Sequence, residues 1–312
     1  MTELRIASIG ECMIELRHRS ATVLDLAYGG DTLNTAVYLA RLIRDRDARV
    51  DYVTAVGDDA YSDGMLAMWQ EERIATDLVA RLPGRLPGLY TIRTDARGER
   101  SFTYWRSAAA ARDMVRGPRA EQVGAALAGY DLLYFSGITL SILDPPQRAA
   151  LVAIADLVRE DGGRVAFDSN YRPVGWPDPD AARAAFDEML GRVDIALPTL
   201  DDEQALYGVK DAPECAERLH RQGVAEVAIK LGQKGCFLSS AQFTGEVPAE
   251  PVATVVDSTA AGDSFNAGYL AARLLGADPP RAARLGNRLA ARVIAYPGAI
   301  IPAAAMADIR LE

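Results

Sequence analysis

Strand-like and helical stretches alternate along almost the whole of this 312-residue chain, and that alternation limits the fold more than any other feature. Residues 4–9 read as a strand, 32–44 as a helix, 50–56 as a strand and 62–72 as a helix, as β-rich runs give way to apolar spacing of helical period. The second half repeats the rhythm, with strands at 131–136, 165–168, 195–197 and 227–231 and helices at 147–159, 181–190 and 214–222 between them. Parallel strands need such crossovers. The pattern therefore predicts an α/β fold with a doubly wound, mostly parallel sheet flanked by helices. Segments 11–28 and 89–105 break the rhythm, and the second reads as a hairpin around Asp95-Ala-Arg-Gly98 with Gly98 in its turn. They predict a small separate β-sheet lid, from about 11–28 and 89–106, on a single domain spanning 1–312. An antiparallel edge of the main sheet is the alternative.

Charge and cysteine usage narrow the class. With 34 basic against 43 acidic residues the net charge is −9, so no dominating basic field is available for nucleic acid or an anionic membrane, and neither is an expected partner. Cys12, Cys215 and Cys236 are far apart and form no C-x-x-C pair, which predicts buried thiols, no structural zinc and a cytoplasmic setting. Residues 1–10 lack a basic start followed by an apolar core, so no secretory leader is expected. The uncharged stretch 293–307 is interrupted by Pro297, Gly298 and Pro302 and falls short of a membrane span. His18 and His220 have no recognisable acid–base partner and read as structural.

The most informative run lies at 255–270. Asp257, Ser258 and Thr259 are helix-capping types, Ala260, Ala261 and Gly262 are small, and a helical pattern continues from Asp263 to 275. Small residues at a helix start leave backbone N–H groups uncovered where the helix dipole is positive, which predicts an anion hole. Asp263 in the first turn would neighbour a phosphoryl group there and could accept a hydroxyl proton. A helix N-terminus favours the ionised carboxylate, so Asp263 is expected to be a weak base whose proton moves late.

Asp257-Ser-Thr-Ala-Ala-Gly-Asp263, with Ala267-Gly268 beyond it, resembles the C-terminal signature of the ribokinase-like (phosphofructokinase B-type) carbohydrate kinases. The resemblance implies that Asp263 is the catalytic base and that Ala260, Ala261 and Gly262 form the anion hole, with Ala260 standing where many members have Gly. Gly29-Gly-Asp-Thr-Leu-Asn34 is similar to the family's N-terminal signature, which implies close sugar approach at Gly30 and hydroxyl binding by Asp31 and Asn34. Lys230-Leu-Gly-Gln-Lys-Gly235 resembles the nucleotide-side loop, implying ATP contacts at Lys230, Gly232 and Gly235, and Asn287 falls where the adenine pocket is lined. Leu200-Asp-Asp-Glu203 occupies the place of the Asn-x-x-Glu element, with Leu200 in place of Asn. Metal duty then falls to Glu203, with Asp202 beside it, holding hydrated Mg²⁺.

Within the family, Gly10-Glu-Cys-Met-Ile-Glu15, Leu86-Pro-Gly-Leu-Tyr90, Tyr104-Trp-Arg106, Asp168-Ser-Asn-Tyr-Arg172 and Gly298-Ala-Ile-Ile-Pro302 resemble the members that phosphorylate 2-keto-3-deoxygluconate. The resemblance implies transfer from ATP to the C6 hydroxyl, with Tyr90, Tyr104 and Asn170 among the sugar-binding residues and homo-oligomers paired through the lid. A sugar acid also needs a cation for its carboxylate, and Arg106 and Arg172 are the candidates, with Arg172 serving the carboxylate, the γ-phosphate or both. Three other readings stay open: a kinase of a neutral sugar, fructose or ribose; a nicotinamide dehydrogenase, although Gly10-Glu-Cys-Met-Ile-Glu15 is no G-x-G-x-x-G; and a non-catalytic sugar-acid sensor.

Overall fold

The computed structural model describes residues 3–94 and 100–311. Its first half runs β1 (Leu4–Ile9), β2 (Met13–His18), β3 (Leu24–Gly29), α1 (Asp31–Ile43), β4 (Ala48–Val56), α2 (Ala60–Glu71), β5 (Ile74–Ala75), β6 (Val79–Arg81), β7 (Gly88–Thr94) and β8 (Arg100–Trp105). Next come α3 (Pro118–Leu127), β9 (Leu132–Ser136), α4 (Gly137–Ile142), α5 (Pro145–Glu160), β10 (Arg164–Asp168) and α6 (Pro179–Leu190). The chain ends with β11 (Ile195–Ala196), α7 (Leu200–Tyr207), α8 (Ala212–Arg221), β12 (Glu226–Lys230), β13 (Cys236–Ser239), β14 (Thr244–Val247), α9 (Ala261–Leu274) and α10 (Pro279–Val293).

The main sheet has the order β14-β13-β12-β11-β10-β9-β1-β4-β5, with β6 also on β4. It is parallel from β12 to β5 and closes on an antiparallel hairpin, β13–β14. Alternation along each strand serves two cores. Ile6 faces a layer with Leu33, Met65, Leu270 and Leu289, while its neighbour Ala7 faces Val123, Leu151, Phe186 and Leu219 on the other side. The doubly wound expectation holds.

Strands β3-β2-β7-β8 form a second sheet that shares no pairing with the first among the described residues, so the lid expectation holds and the edge-strand alternative does not. The antiparallel edge of the main sheet comes instead from 236–247. The turn expected at Gly98 lies outside the described residues, although β7 and β8 pair antiparallel on either side of it. Cys12, Cys215 and Cys236 are free and buried, and His220 is held by Val224 C=O and the Ser239 hydroxyl, as expected of structural groups. No helix among the described residues is long and apolar enough to cross a membrane.

Candidate active site

Helix starts separate structure from chemistry in this chain. α5, α6, α8 and α10 are capped by Asp144, Asp178, Asp211 and Asp278, each accepting a first-turn N–H, with Pro just inside the helix. α1 and α9 start instead at Gly30 and Ala260, which offer no side-chain acceptor. Both open at the carboxyl ends of β1, β9, β10 and β12, the edge where ligands collect in open α/β sheets. A Cβ on Gly30 would stand 2.0 Å from the Glu11 carbonyl oxygen, so only glycine lets the chain pass there.

Ala260 adopts φ 59°, ψ 17°, the left-handed conformation that usually falls to glycine. The side chain costs roughly 1 kcal/mol of strain there, and the turn it makes lifts the first-turn peptides of α9 toward Lys230. Gly262 packs so closely that a Cβ would lie 3.4 Å from Lys230 Nζ. Not every expected donor is free, since Ala261 N–H donates to Ser258 C=O at 3.3 Å. Ala260→Gly removes the strain but adds backbone freedom to the unfolded chain, so calorimetry should find an unchanged or slightly higher Tm. A clear fall in Tm would contradict the strain.

Polar side chains converge behind this turn. Asn34 donates to Asp263 Oδ2 at 2.8 Å, and Asn170, itself at φ 30°, donates to Asp31 Oδ2 at 2.8 Å. Lys230 Nζ lies 2.5 Å from Asp168 Oδ2 and 3.2 Å from Asn266 Oδ1. Asn266 also donates to Asp168 at 2.7 Å and to the Tyr134 hydroxyl at 3.1 Å. That hydroxyl also lies 3.3 Å from Thr35 Oγ1, whose own proton goes to Asp263 C=O at 3.2 Å. Burial first, then the Asp31 and Asp168 charges, push the Asp263 carboxyl up to about 7 against the pull of Asn34 and Lys230. The expected weakening of Asp263 by its helix N-terminus is thereby overturned: desolvation outweighs the dipole and leaves a base matched to neutral pH.

Beside Asp31 and Gly30 opens a cavity of about 380 Å³, lined also by Glu11, Tyr104, Arg106, Arg112 and Arg172. Arg106 is bonded to the buried carboxylate of Glu11, and Arg172 lies 3.2 Å from Asp202. Tyr104 reaches the cavity, its ring 5.8 Å from that of Tyr90 and tilted 33° to it. Tyr90 itself is buried and spends its hydroxyl on Glu15, so it supports the lid rather than offering a free donor.

The metal expectation for Glu203 does not survive. Its carboxylate is buried against Arg218 at 2.6 Å, below the sheet edge, whereas its neighbour Asp202 faces Arg172 and the site. One residue along a helix is about 100° of rotation, so only one of the two can face the phosphates. Among the described residues no cluster of three His, Cys, Asp or Glu is placed to hold a metal. Gly232 and Gly235 form the turn between β12 and β13, but the Lys230 ammonium points away from it into the polar centre. Asn287 uses its amide to tie α10 to the Val247 and Pro248 carbonyls, at 3.3 and 2.9 Å. The sequence reading missed Asp168 as a partner of Lys230, together with Asn266, Glu11 and Arg112. Of these, Asp168, Glu11 and Asn266 already stood inside segments singled out from the sequence.

An uncapped helix start, a raised carboxylate beside it and a polar cavity under a separate small sheet define a phosphotransferase of small polyols. Residues 3–306 match the pfkB family carbohydrate kinase pattern, and the chain belongs to that family. It is 49% identical over 309 residues to the 2-dehydro-3-deoxygluconokinase of Dickeya dadantii (strain 3937), covering 98% of this chain and 99% of that one. The 2-dehydro-3-deoxygluconokinase of Escherichia coli (strain K12) is 46% identical over 305 residues, covering 97% and 98%. Among solved structures, the fructokinase with bound ATP from Xylella fastidiosa superposes with a TM-score of 0.84 at 23% identity, covering 97% of this chain and 95% of that one, a likeness of fold.

Proposed function

We propose that this chain is an ATP-dependent kinase of 2-keto-3-deoxygluconate (2-dehydro-3-deoxygluconate), transferring the γ-phosphoryl group to its C6 hydroxyl. The single observation that carries the reading is Asp263, a buried carboxylate tuned to neutral pH at an uncapped helix start, next to a cavity with arginines. The full-length match to kinases of that name supports the same substrate.

In this reading Asp31, Asn34 and Asn170 bond the sugar hydroxyls and Asp263 orients the terminal one. The hydroxyl oxygen forms the new P–O bond as the bond to ADP breaks, and its proton passes to Asp263. The α9 dipole, the first-turn N–H groups and the Lys230 ammonium offset the charge that develops on the phosphoryl oxygens. Mg²⁺, when bound, supplies charge neutralisation of the phosphates, and Asp202 beside Arg172 is the carboxylate suited to its waters. Gly232 and Gly235 would border the nucleotide and Asn287 would fix the wall against its base. Tyr104 and Arg106 approach the sugar acid from the lid. The chain then works as one ribokinase-like domain with a lid at 11–28 and 89–106. Exposed Leu26, Phe102 and Trp105 on that lid suit pairing of two copies, and the buried free thiols suit a cytoplasmic setting.

A panel of sugar acids and neutral sugars with Mg·ATP, read as ADP release, tests the reading. Release is expected to be fastest with 2-keto-3-deoxygluconate, and Arg106→Ala should raise KM for it more than for a neutral ketose. A wild-type enzyme that prefers fructose or ribose would overturn the substrate, and one that releases no ADP would leave the sensor.

A further inference from the structure

Three guanidinium groups line the substrate cavity, and two already have an anion. Arg106 is bonded to Glu11, and Arg172 is paired with Asp202. The half-buried side chain of Arg112 has no hydrogen-bond acceptor and no salt-bridge partner among the described residues. A cation drawn partly out of water without a counter-ion is unfavourable unless something else brings the charge.

The surroundings sharpen that imbalance. On one side stands Glu11, whose Oε2 is taken by Arg106 and whose Oε1 is buried and unpartnered. Burial lifts the Glu11 carboxyl, and Arg106 first, then Arg112, pull it back, so one carboxylate is shared by two cations. On the other side Arg148 lies close enough for the Arg112 charge to disfavour its own, and Arg148 is already bonded to Leu140 C=O and stacked over Trp176. Asp31, the other acid on this cavity, is bonded to Asn170, so among the described residues no carboxylate is in contact with Arg112.

The backbone under Arg112 is fixed. Its N–H donates to Ala109 C=O at 3.1 Å, its C=O accepts from Gln147 Nε2 at 2.9 Å, and neighbouring Ala110 and Ala111 are buried. Arg106, by contrast, directly follows the last lid strand. The two guanidinium groups therefore reach one cavity from different supports.

We infer that Arg112 receives the carboxylate of the substrate, with Arg106 meeting it from the lid side; the inference rests on the sugar-acid reading above. A planar guanidinium matches a carboxylate in two parallel hydrogen bonds, which a neutral ketose cannot supply. Arg172 is then left with Asp202 on the phosphate side, and Arg112 separates sugar acids from sugars of equal length.

The test is Arg112→Gln, with Arg112→Lys as the variant that keeps the charge. Losing a charged hydrogen bond of this kind should raise KM for 2-keto-3-deoxygluconate about 10- to 100-fold, with a much smaller fall in kcat. Calorimetry of the sugar acid without nucleotide should lose the same factor in affinity, KM for ATP should stay put, and the lysine variant should recover part of the loss. Methylguanidine added to Arg112→Ala should restore turnover, which a merely structural role would not allow. If KM and affinity stay within twofold of wild type while Arg106→Ala raises both, the carboxylate rests on Arg106 and the inference fails alone. A wild-type enzyme that binds no sugar acid removes the functional reading and the inference together.

Discussion

Asp263→Asn is expected to lower kcat by about 10²- to 10⁴-fold, the range for loss of a general base, while making the folded protein more stable above neutral pH. Asn keeps the oxygen that accepts from Asn34 but has no affinity for the hydroxyl proton. The folded carboxyl titrates near 7 against an ordinary value of 3.8. A pKa raised on folding means that stability present at low pH is lost as pH rises through the folded value. The wild type should therefore lose stability between about pH 4 and 7, and the variant, without that group, should not. Its advantage in thermal unfolding should be absent near pH 4, grow to about pH 7 and then level off, at on the order of 4 kcal/mol. The same proton gives wild-type kcat/KM an acidic limb that rises to about pH 7. Turnover near wild type in the variant would take the base role from Asp263, and a Tm difference independent of pH would show that burial does not raise it.

Lys230→Met is expected to destabilise the fold by about 3–5 kcal/mol, because removing one member of a buried ion pair strands the other. Lys230 and Asp168 are 7% and 2% exposed, so water cannot take over solvation of the abandoned carboxylate. Asn266 Nδ2 and the Asn170 N–H still reach it, at 2.7 and 3.1 Å, which favours the lower half of that range. Adding Asp168→Asn should recover much of the loss, and a double-mutant cycle in urea reads the coupling directly. The single variant should also shift the acidic limb upward, since the lysine charge is one of the forces holding the Asp263 carboxyl down. A single variant as stable as wild type would show that the Lys230–Asp168 pair does not hold the fold.

Local physics made the parallel strands and the amphipathic helices legible. β1 was read with its observed bounds because six residues of strand type precede a glycine, and α5, α6 and α8 announce themselves through Asp-Pro or Asp-Ala-Pro starts. α3 passed unread because Val123 and Leu127 are its only large buried residues, and the hairpin at 236–247 because its strands are four residues long. The uncapped start of α9 and the place of Asp263 in its first turn could be read from one segment because both are local to one helix start. The pairing of Lys230 with Asp168 could not be read, since the two are 62 positions apart and a lysine beside a glycine turn reads equally well as a loop cation. Glu203 and Asp202 differ by one step around a helix whose orientation only tertiary packing sets, and Arg112 became visible only once its neighbours were seen to be taken.

The strands that carry Tyr90, Tyr104 and Arg106 have no ladder in common with the sheet that supports Asp168, Lys230 and Asp263. On the proposed function, the part of recognition that falls to Tyr104 and Arg106 is thus written on a module separate from the chemistry, while Asp31, Asn34 and Asn170 stay with the main body. A lineage can exchange one without refolding the other, so a change of diet asks for new loops and strand faces, while the transfer apparatus is inherited intact.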